Sequence, residues 1–238
     1  MAEFFEAGVL PLHEDGASDE PARDHPDPKG LVKPRYNVAP TSNVYIVADF
    51  EGVRTLTVAR WGLIPSWSKD ASRASGMINA RSESVAEKPA YRAAFRRRRC
   101  LVPADGYYEW QAASAGKSKQ PYFIRRRDGD MLAMAGLYEH WSGPTGVVRS
   151  CTIITQEAVG DLCDVHHRRP VQIPAESWAE WLDPESSRAP DVMEAAIQAV
   201  DASENLAWQA VSTAVNRPTQ DGEHLIAPLD HATAHGAR

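Results

Sequence analysis

Several short stretches of this sequence set reactive or ligating side chains beside aromatic, proline or arginine residues. Tyr107-Tyr108-Glu109-Trp110 places one carboxylate among rings. An apolar neighbourhood disfavours the charged form and moves a carboxyl toward the range useful for proton transfer. A solvent-facing Glu on an alternating strand is the plainer alternative. His166-His167 precede Arg168-Arg169-Pro170 in what reads as a loop, where an imidazole can shuttle protons near neutral pH. A surface histidine pair is the alternative there. Asn79-Ala80-Arg81-Ser82-Glu83 offers an amide to orient a polar group and a guanidinium for a phosphate. Asn79 is expected to be buried, and an Arg–Glu surface pair is the alternative. Cys163 stands three residues before His166, but no second Cys/His pair follows at zinc spacing, so no metal and no cofactor is assigned. His231 and His235 lie four apart in a polar tail with no Glu after the first, and are set aside.

Trp61, Trp67, Tyr107, Tyr108 and Trp110 are interleaved with arginines. Rings for stacking on bases and cations for phosphates are what a single-stranded nucleic acid requires. A domain of this size also needs many of these rings in its core. Trp67, just after Pro65, is expected to be the exposed one.

The elements that must position these groups are mostly strands. Val44–Ala48 and Val53–Arg60 are β-branched runs on either side of Asp49-Phe50-Glu51-Gly52, which predicts a hairpin. Tyr122–Arg126 and Met131–Ala135 flank Arg127-Asp128-Gly129-Asp130, read as a second hairpin. Cys100–Val102 and Gly106–Trp110 read as strands around a Pro103-Ala104-Asp105 turn, and Ser150–Thr155 as another strand. Trp61–Trp67, interrupted by Pro65, is irregular. Pro89–Arg99 predicts a short helix ending in arginines, which suit a helix C-terminus. Glu176–Leu182 and Asp191–Val200 also read as helical. The fold class is therefore α+β: one strand-rich domain with a barrel-like β core and short peripheral helices. Residues 1–30 form an acidic segment, in part disordered, 31–217 the domain, and 218–238 a flexible tail that frays.

The chain has 238 residues and a net charge of −6, which taken whole argues against a nucleic acid partner. The charge is segregated, however. Residues 60–127 carry fifteen bases and five acids, whereas residues 1–30 carry eight acids and two bases. A basic block inside an acidic chain is the footprint of an anionic partner if it folds onto one face; a solvated helix end plus a solvated hairpin is the alternative. No apolar run approaches the ~20 residues that cross a bilayer. Three cysteines, an odd number, and an N-terminus without a secretion signal argue for a reducing, cytoplasmic setting.

Taken in order, these segments resemble the SRAP family, the SOS-response-associated peptidases or abasic-site processing proteins. Arg35-Tyr36-Asn37-Val38-Ala39-Pro40-Thr41 is similar to its YN-[IV]-APT motif, and Arg60–Trp67 to RWGLIPxW. Asn79–Glu83 is similar to NARxE, Arg99–Trp110 to RCL-[IV]-PAxG-[FY]-YEW, and His166–Val171 to HxRMPV, with Arg169 in place of the Met. The likeness spans residues 31–183. It implies a protein that takes single-stranded DNA with abasic sites and traps the ring-opened sugar as a thiazolidine on an N-terminal cysteine, with associated self-processing. It further implies that Asn79 holds the terminal residue and sugar, that Glu109 moves protons at the sugar, and that His166 assists ring opening. Asn37, Pro40, Trp67 and Arg81 would contact the DNA. No membrane is implied, and a monomer is expected.

One departure stands out. The family begins Met-Cys-Gly-Arg, whereas this chain begins Met1-Ala2-Glu3-Phe4-Phe5. Cys100, Cys151 and Cys163 are internal, so none joins an α-amine to a thiol, and Cys100 reads as a small core hydrophobe. Met1 is therefore expected to be an internal start, the full product beginning roughly fifteen residues upstream. The other reading is a protein that binds single-stranded DNA without the covalent step. A metal hydrolase built on Cys163, His166 and His167 is a third.

Overall fold

In a computed structural model of the chain, residues 1, 4–6, 8–9, 34–112, 118–199 and 205–229 are described. Most of the expected acidic segment lies outside them. Asn43–Phe50 (β2) and Val53–Trp61 (β3) form the expected hairpin, Phe50 facing Val53 across Glu51-Gly52. Both turn residues have positive φ, 57° and 82°, and Gly52 N–H donates to Asp49 Oδ1, so the turn twists with its strands. A two-residue strand, Gly8–Val9 (β1), lies parallel to β3.

Asn79–Arg81 (β4) is followed by a helix, Arg92–Arg97 (α1), and then Arg99–Ala104 (β5). Gly106–Gln111 (β6) and Gln120–Arg126 (β7) come next, then the long strands Leu132–Gly143 (β8) and Gly146–Glu157 (β9). Pairing runs β2–β3, β3–β9, β9–β8, β8–β5 and β5–β2, a closed ring of five strands in which only β3–β9 is parallel. Closure removes the exposed edges an open sheet would carry. The far end of β9 takes on β4 in parallel and Arg168–Pro170 (β10) in antiparallel pairing.

Side chains alternate along each strand of the ring. Ile46, Ala48, Cys100, Val102, Leu132, Met134, Cys151 and Ile153 pack with a second, three-stranded sheet. Val47, Leu101, Ala135, Leu137 and Ile154 pack with Trp178–Leu182 (α2) and Ala189–Gln198 (α3) instead. Phe5 joins that second cluster, its ring 4.6 Å from Trp178. The second sheet has the order β11-β7-β6, where β11 is Leu206–Ala210.

Two expectations are corrected. β7 and β8 are not a hairpin: β7 pairs with β6 and β11, while β8 pairs with β5 and β9. The polar turn residues are satisfied without a ladder, since Arg126 Nε and Asn205 Nδ2 both donate to the Asp128 carboxylate. Residues 218–229 do not fray. Leu225 is buried, Gln209 donates to Ile226 O, and Val211 bridges Pro228. Among the described residues no helix is long and apolar enough to cross a membrane.

Candidate functional site

β5 and β6 are almost one strand, bending at Asp105 from the barrel into the second sheet. The bend needs Gly106, where a Cβ would stand 2.4 Å from the Phe123 ring. Glu109 thereby sits on the outer strand of the small sheet, half-buried on the face it shares with Tyr107, while Tyr108 and Trp110 turn to the other face and pack near Phe123. Opposite it, the turn Gly160–Asp164 is anchored by buried Leu162, whose carbonyl accepts from Val165 N–H and His166 N–H. Gln111, two residues beyond Glu109 and on the same face, donates to Asp164 O at 2.8 Å and ties that turn to β6.

The result is that Glu109 Oε2 lies 3.5 Å from His166 Nδ1. Burial pushes the Glu109 carboxyl above the ordinary range, opposed by His166, the Trp110 N–H and Lys119. Arg168 N–H lies 3.2 Å from His166 Nδ1 and donates to it in the tautomer that carries its proton on Nε2. Protonated, the same nitrogen faces Arg168 O at 3.1 Å and the Glu109 carboxylate. A carboxyl of raised pKa in contact with an imidazole is an arrangement suited to acid–base chemistry.

Arg168 is itself clamped. Its guanidinium forks onto Glu83 at 2.6 and 3.0 Å and also donates to Thr155 O. Thr155 O accepts Ser82 N–H as well, so β4, β9 and the histidine loop meet at one carbonyl. Glu83 thus pairs with Arg168 rather than with its neighbour Arg81, a link the spacing within Asn79–Glu83 could not reveal. Arg168 holds the Glu83 carboxyl below the usual carboxylate range. Arg81 reaches the same region, lining an open cleft of about 320 Å³ with Cys163, His167 and Arg168.

The other expected residues are placed as follows. Asn79 is exposed rather than buried, because alternation on β4 sends Ala80 inward and leaves Asn79 and Arg81 out. Among the described residues its side-chain amide makes no hydrogen bond, and nothing joins it to Glu109 or His166. Pro40 is the exposed tip of a turn in which Ser42 N–H donates to Ala39 O and Thr41 has φ 70°. A β-branched residue rarely adopts that conformation, so the turn is strained. Trp67 is 68% exposed, as expected. Asn37 instead serves the fold: its Nδ2 donates to Val215 O, Arg217 O and Gln220 O, each at 3.1 Å.

Trp61 joins three of the motif segments. Its carbonyl accepts Thr41 N–H, its N–H donates to Ser42 O, and its indole donates to Ile78 O, next to Asn79. Arg169 is buried beside Tyr107 and Cys163, and burial lowers its pKa. Two of its guanidinium nitrogens and the Tyr107 hydroxyl have no partner among the described residues. Cys100 and Cys151 are wholly buried, and their thiols are pushed up. Cys163 is exposed and donates to Ala158 O. Among the described residues no three His, Cys, Asp or Glu side chains converge as a metal site.

Residues 12–218 match the model of the SOS response associated peptidase (SRAP) family. The abasic site processing protein YoaM of Bacillus subtilis is 39% identical over 205 residues, covering 86% of this chain and 89% of its own. The abasic site processing protein HMCES of Pongo abelii is 30% identical over 236 residues, covering 83% of this chain and 66% of its own. Among solved structures, a protein from Bacteroides thetaiotaomicron aligns with a TM-score of 0.65 at 27% identity, covering 82% of each chain.

Proposed function

Since this chain belongs to the SOS response associated peptidase family, we propose that it processes abasic sites and that its substrate is single-stranded DNA. The observation that carries the chemistry is the Glu109–His166 contact, a half-buried carboxyl with raised pKa 3.5 Å from an imidazole. A ring-opened abasic sugar presents an aldehyde. Condensing it with an amine requires a base to take the amine proton and an acid to release the hydroxyl as water. His166 suits the first role and Glu109 the second. Arg81 and the cleft it lines suit a phosphate, and exposed Trp67 suits stacking at the gap left by the missing base.

A stable thiazolidine needs thiol and α-amine on one residue. Residue 2 here is Ala, Cys100 and Cys151 are buried, and Cys163 is internal. For residues 1–238 as they stand, the reading is reversible capture, and the covalent step belongs to a chain that begins with cysteine. Fluorescence anisotropy with three labelled oligonucleotides tests it: single-stranded abasic, single-stranded intact and fully duplex intact. Tightest binding to the first is expected. Equal binding to all three, or none, refutes the proposed substrate.

A further inference from the structure

The basic block of residues 60–127 is much less available than its charge suggests. Arg97 is paired with Glu185 and Arg98 with Glu139. Arg99 is buried, its guanidinium donating to Phe95 O, Arg96 O, Trp181 O and Asp183 O. Arg126 is held by Asp128. Of the exposed bases that remain, Lys88, Arg92 and Arg96 follow one another at intervals of four residues. All three are exposed, and among the described residues no side chain of the three has a carboxylate or hydrogen-bond partner.

They are also aligned. Arg92 N–H donates to Lys88 O in the helical i to i−4 manner, and Arg96 follows four residues later in α1. Arg92 and Arg96 therefore lie one turn apart on one face of α1, about 6 Å along the axis at 1.5 Å per residue, with Lys88 in the turn just ahead of the helix. The nearest acidic side chain in sequence, Glu87, is exposed and has no ion pair with them among the described residues. Between Lys88 and Arg92, Tyr91 turns inward and its hydroxyl reaches Asn79 O at 3.4 Å. One end of the stripe is thus fastened to β4, the strand that carries Asn79 and Arg81, and the other runs away from it along α1.

Three like charges held within a turn of one another repel unless something neutralises them. Among the described residues nothing does so, whereas each of the three arginines that follow is neutralised or buried. A partner with negative charges repeated at short intervals fits such a row. Exposed cations about one helical turn apart suit successive phosphates of a single extended strand. We propose that the Lys88–Arg92–Arg96 stripe is a contact track for the sugar–phosphate backbone of the DNA whose abasic site occupies the Glu109–His166 region, extending the interface beyond the reacting nucleotide. The proposal rests on the proposed substrate and adds its path across the surface.

The test compares the chain with its Lys88→Ala/Arg92→Ala/Arg96→Ala variant, measuring affinity for a single-stranded abasic 20-mer by anisotropy from 50 to 200 mM salt. Each phosphate contact contributes about 0.7 to the log–log slope for single strands. Loss of three lowers the slope by about 2, so affinity falls some 20-fold less over that fourfold salt range. The thermal midpoint of the variant stays at the wild-type value or rises slightly, because the side chains are exposed and their mutual repulsion is gone. A wild-type protein that binds, with an unchanged slope in the variant, overturns the track and leaves the substrate standing. A wild-type protein that does not bind the oligonucleotide overturns both.

Discussion

Replacing Glu83 with Ala removes the clamp on Arg168 without touching Glu109 or His166. Glu83 accepts two hydrogen bonds from the Arg168 guanidinium, at 2.6 and 3.0 Å. Hydrogen bonds to charged groups contribute about 1.5–3 kcal/mol each when sheltered. The Glu83 side chain is 51% exposed, so solvent screening takes most of that away, while Arg168 is only 13% exposed and is left short of acceptors. A loss of about 1–2 kcal/mol is expected, a fall of about 2–8 °C in Tm for a chain of this size. The carboxyl is held below its ordinary range, chiefly by Arg168, so the pair stabilises the fold fully above that range and its contribution disappears as pH falls through the lowered value. The Tm gap between wild type and variant should therefore be widest near neutrality and close on acidification. The loop that orients His166 loosens too, because Arg168 N–H is the donor to His166 Nδ1. The pH profile of the abasic-site reaction should then shift, with partial rescue by Glu83→Asp. Differential scanning fluorimetry across pH reads the first effect. A Tm gap of the same size in acid and at neutrality, or an unaltered pH profile, refutes the clamp.

Glu109→Gln should slow the reaction by about 10²–10⁴ while affinity for abasic DNA persists. Burial raises the Glu109 carboxyl, so its ionisation costs stability as pH rises through the folded value, and the variant should melt higher than wild type at neutral pH with no difference in acid. Trp67→Ala should leave Tm unchanged and weaken single-stranded binding by about 5- to 150-fold, the loss of one stacked base, read by anisotropy. Asn37→Ala should do the reverse. It strands three carbonyls, so about 1–3 kcal/mol of stability goes while the salt slope of DNA binding holds.

Local chemistry made part of this fold legible in advance. Asp49-Phe50-Glu51-Gly52 supplies both the capping carboxylate and the tolerance of positive φ that a tight hairpin needs, and β2–β3 follows. Cys100–Val102 and Ser150–Thr155, apolar or β-branched nearly throughout, marked two of the barrel strands. Arg127-Asp128-Gly129-Asp130 has the same composition as a hairpin turn but links two sheets, because strand partners are chosen by distant apolar faces that turn residues do not encode. The site divides similarly. Glu109 among rings and His166 in a loop could be singled out from residue type. Their contact depends on Gln111 gripping Asp164 O, a long-range bond without a periodic signature. Asn37 shows the converse: a residue in a recognisable motif, expected at the DNA, whose amide nitrogen is spent on backbone carbonyls.

The most direct measurement is denaturing electrophoresis of a version of this chain extended by about fifteen residues that begin Met-Cys-Gly-Arg, incubated with a single-stranded abasic oligonucleotide. The chain as it stands and an oligonucleotide whose aldehyde has been reduced to the alcohol are run alongside. The expected result is a slow-migrating species that survives denaturation only when terminal cysteine and aldehyde are both present, and that forms more slowly with Glu109→Gln. Absence of that species while the oligonucleotide carries a titrated aldehyde would contradict the assignment of Glu109 and His166 to abasic-site chemistry.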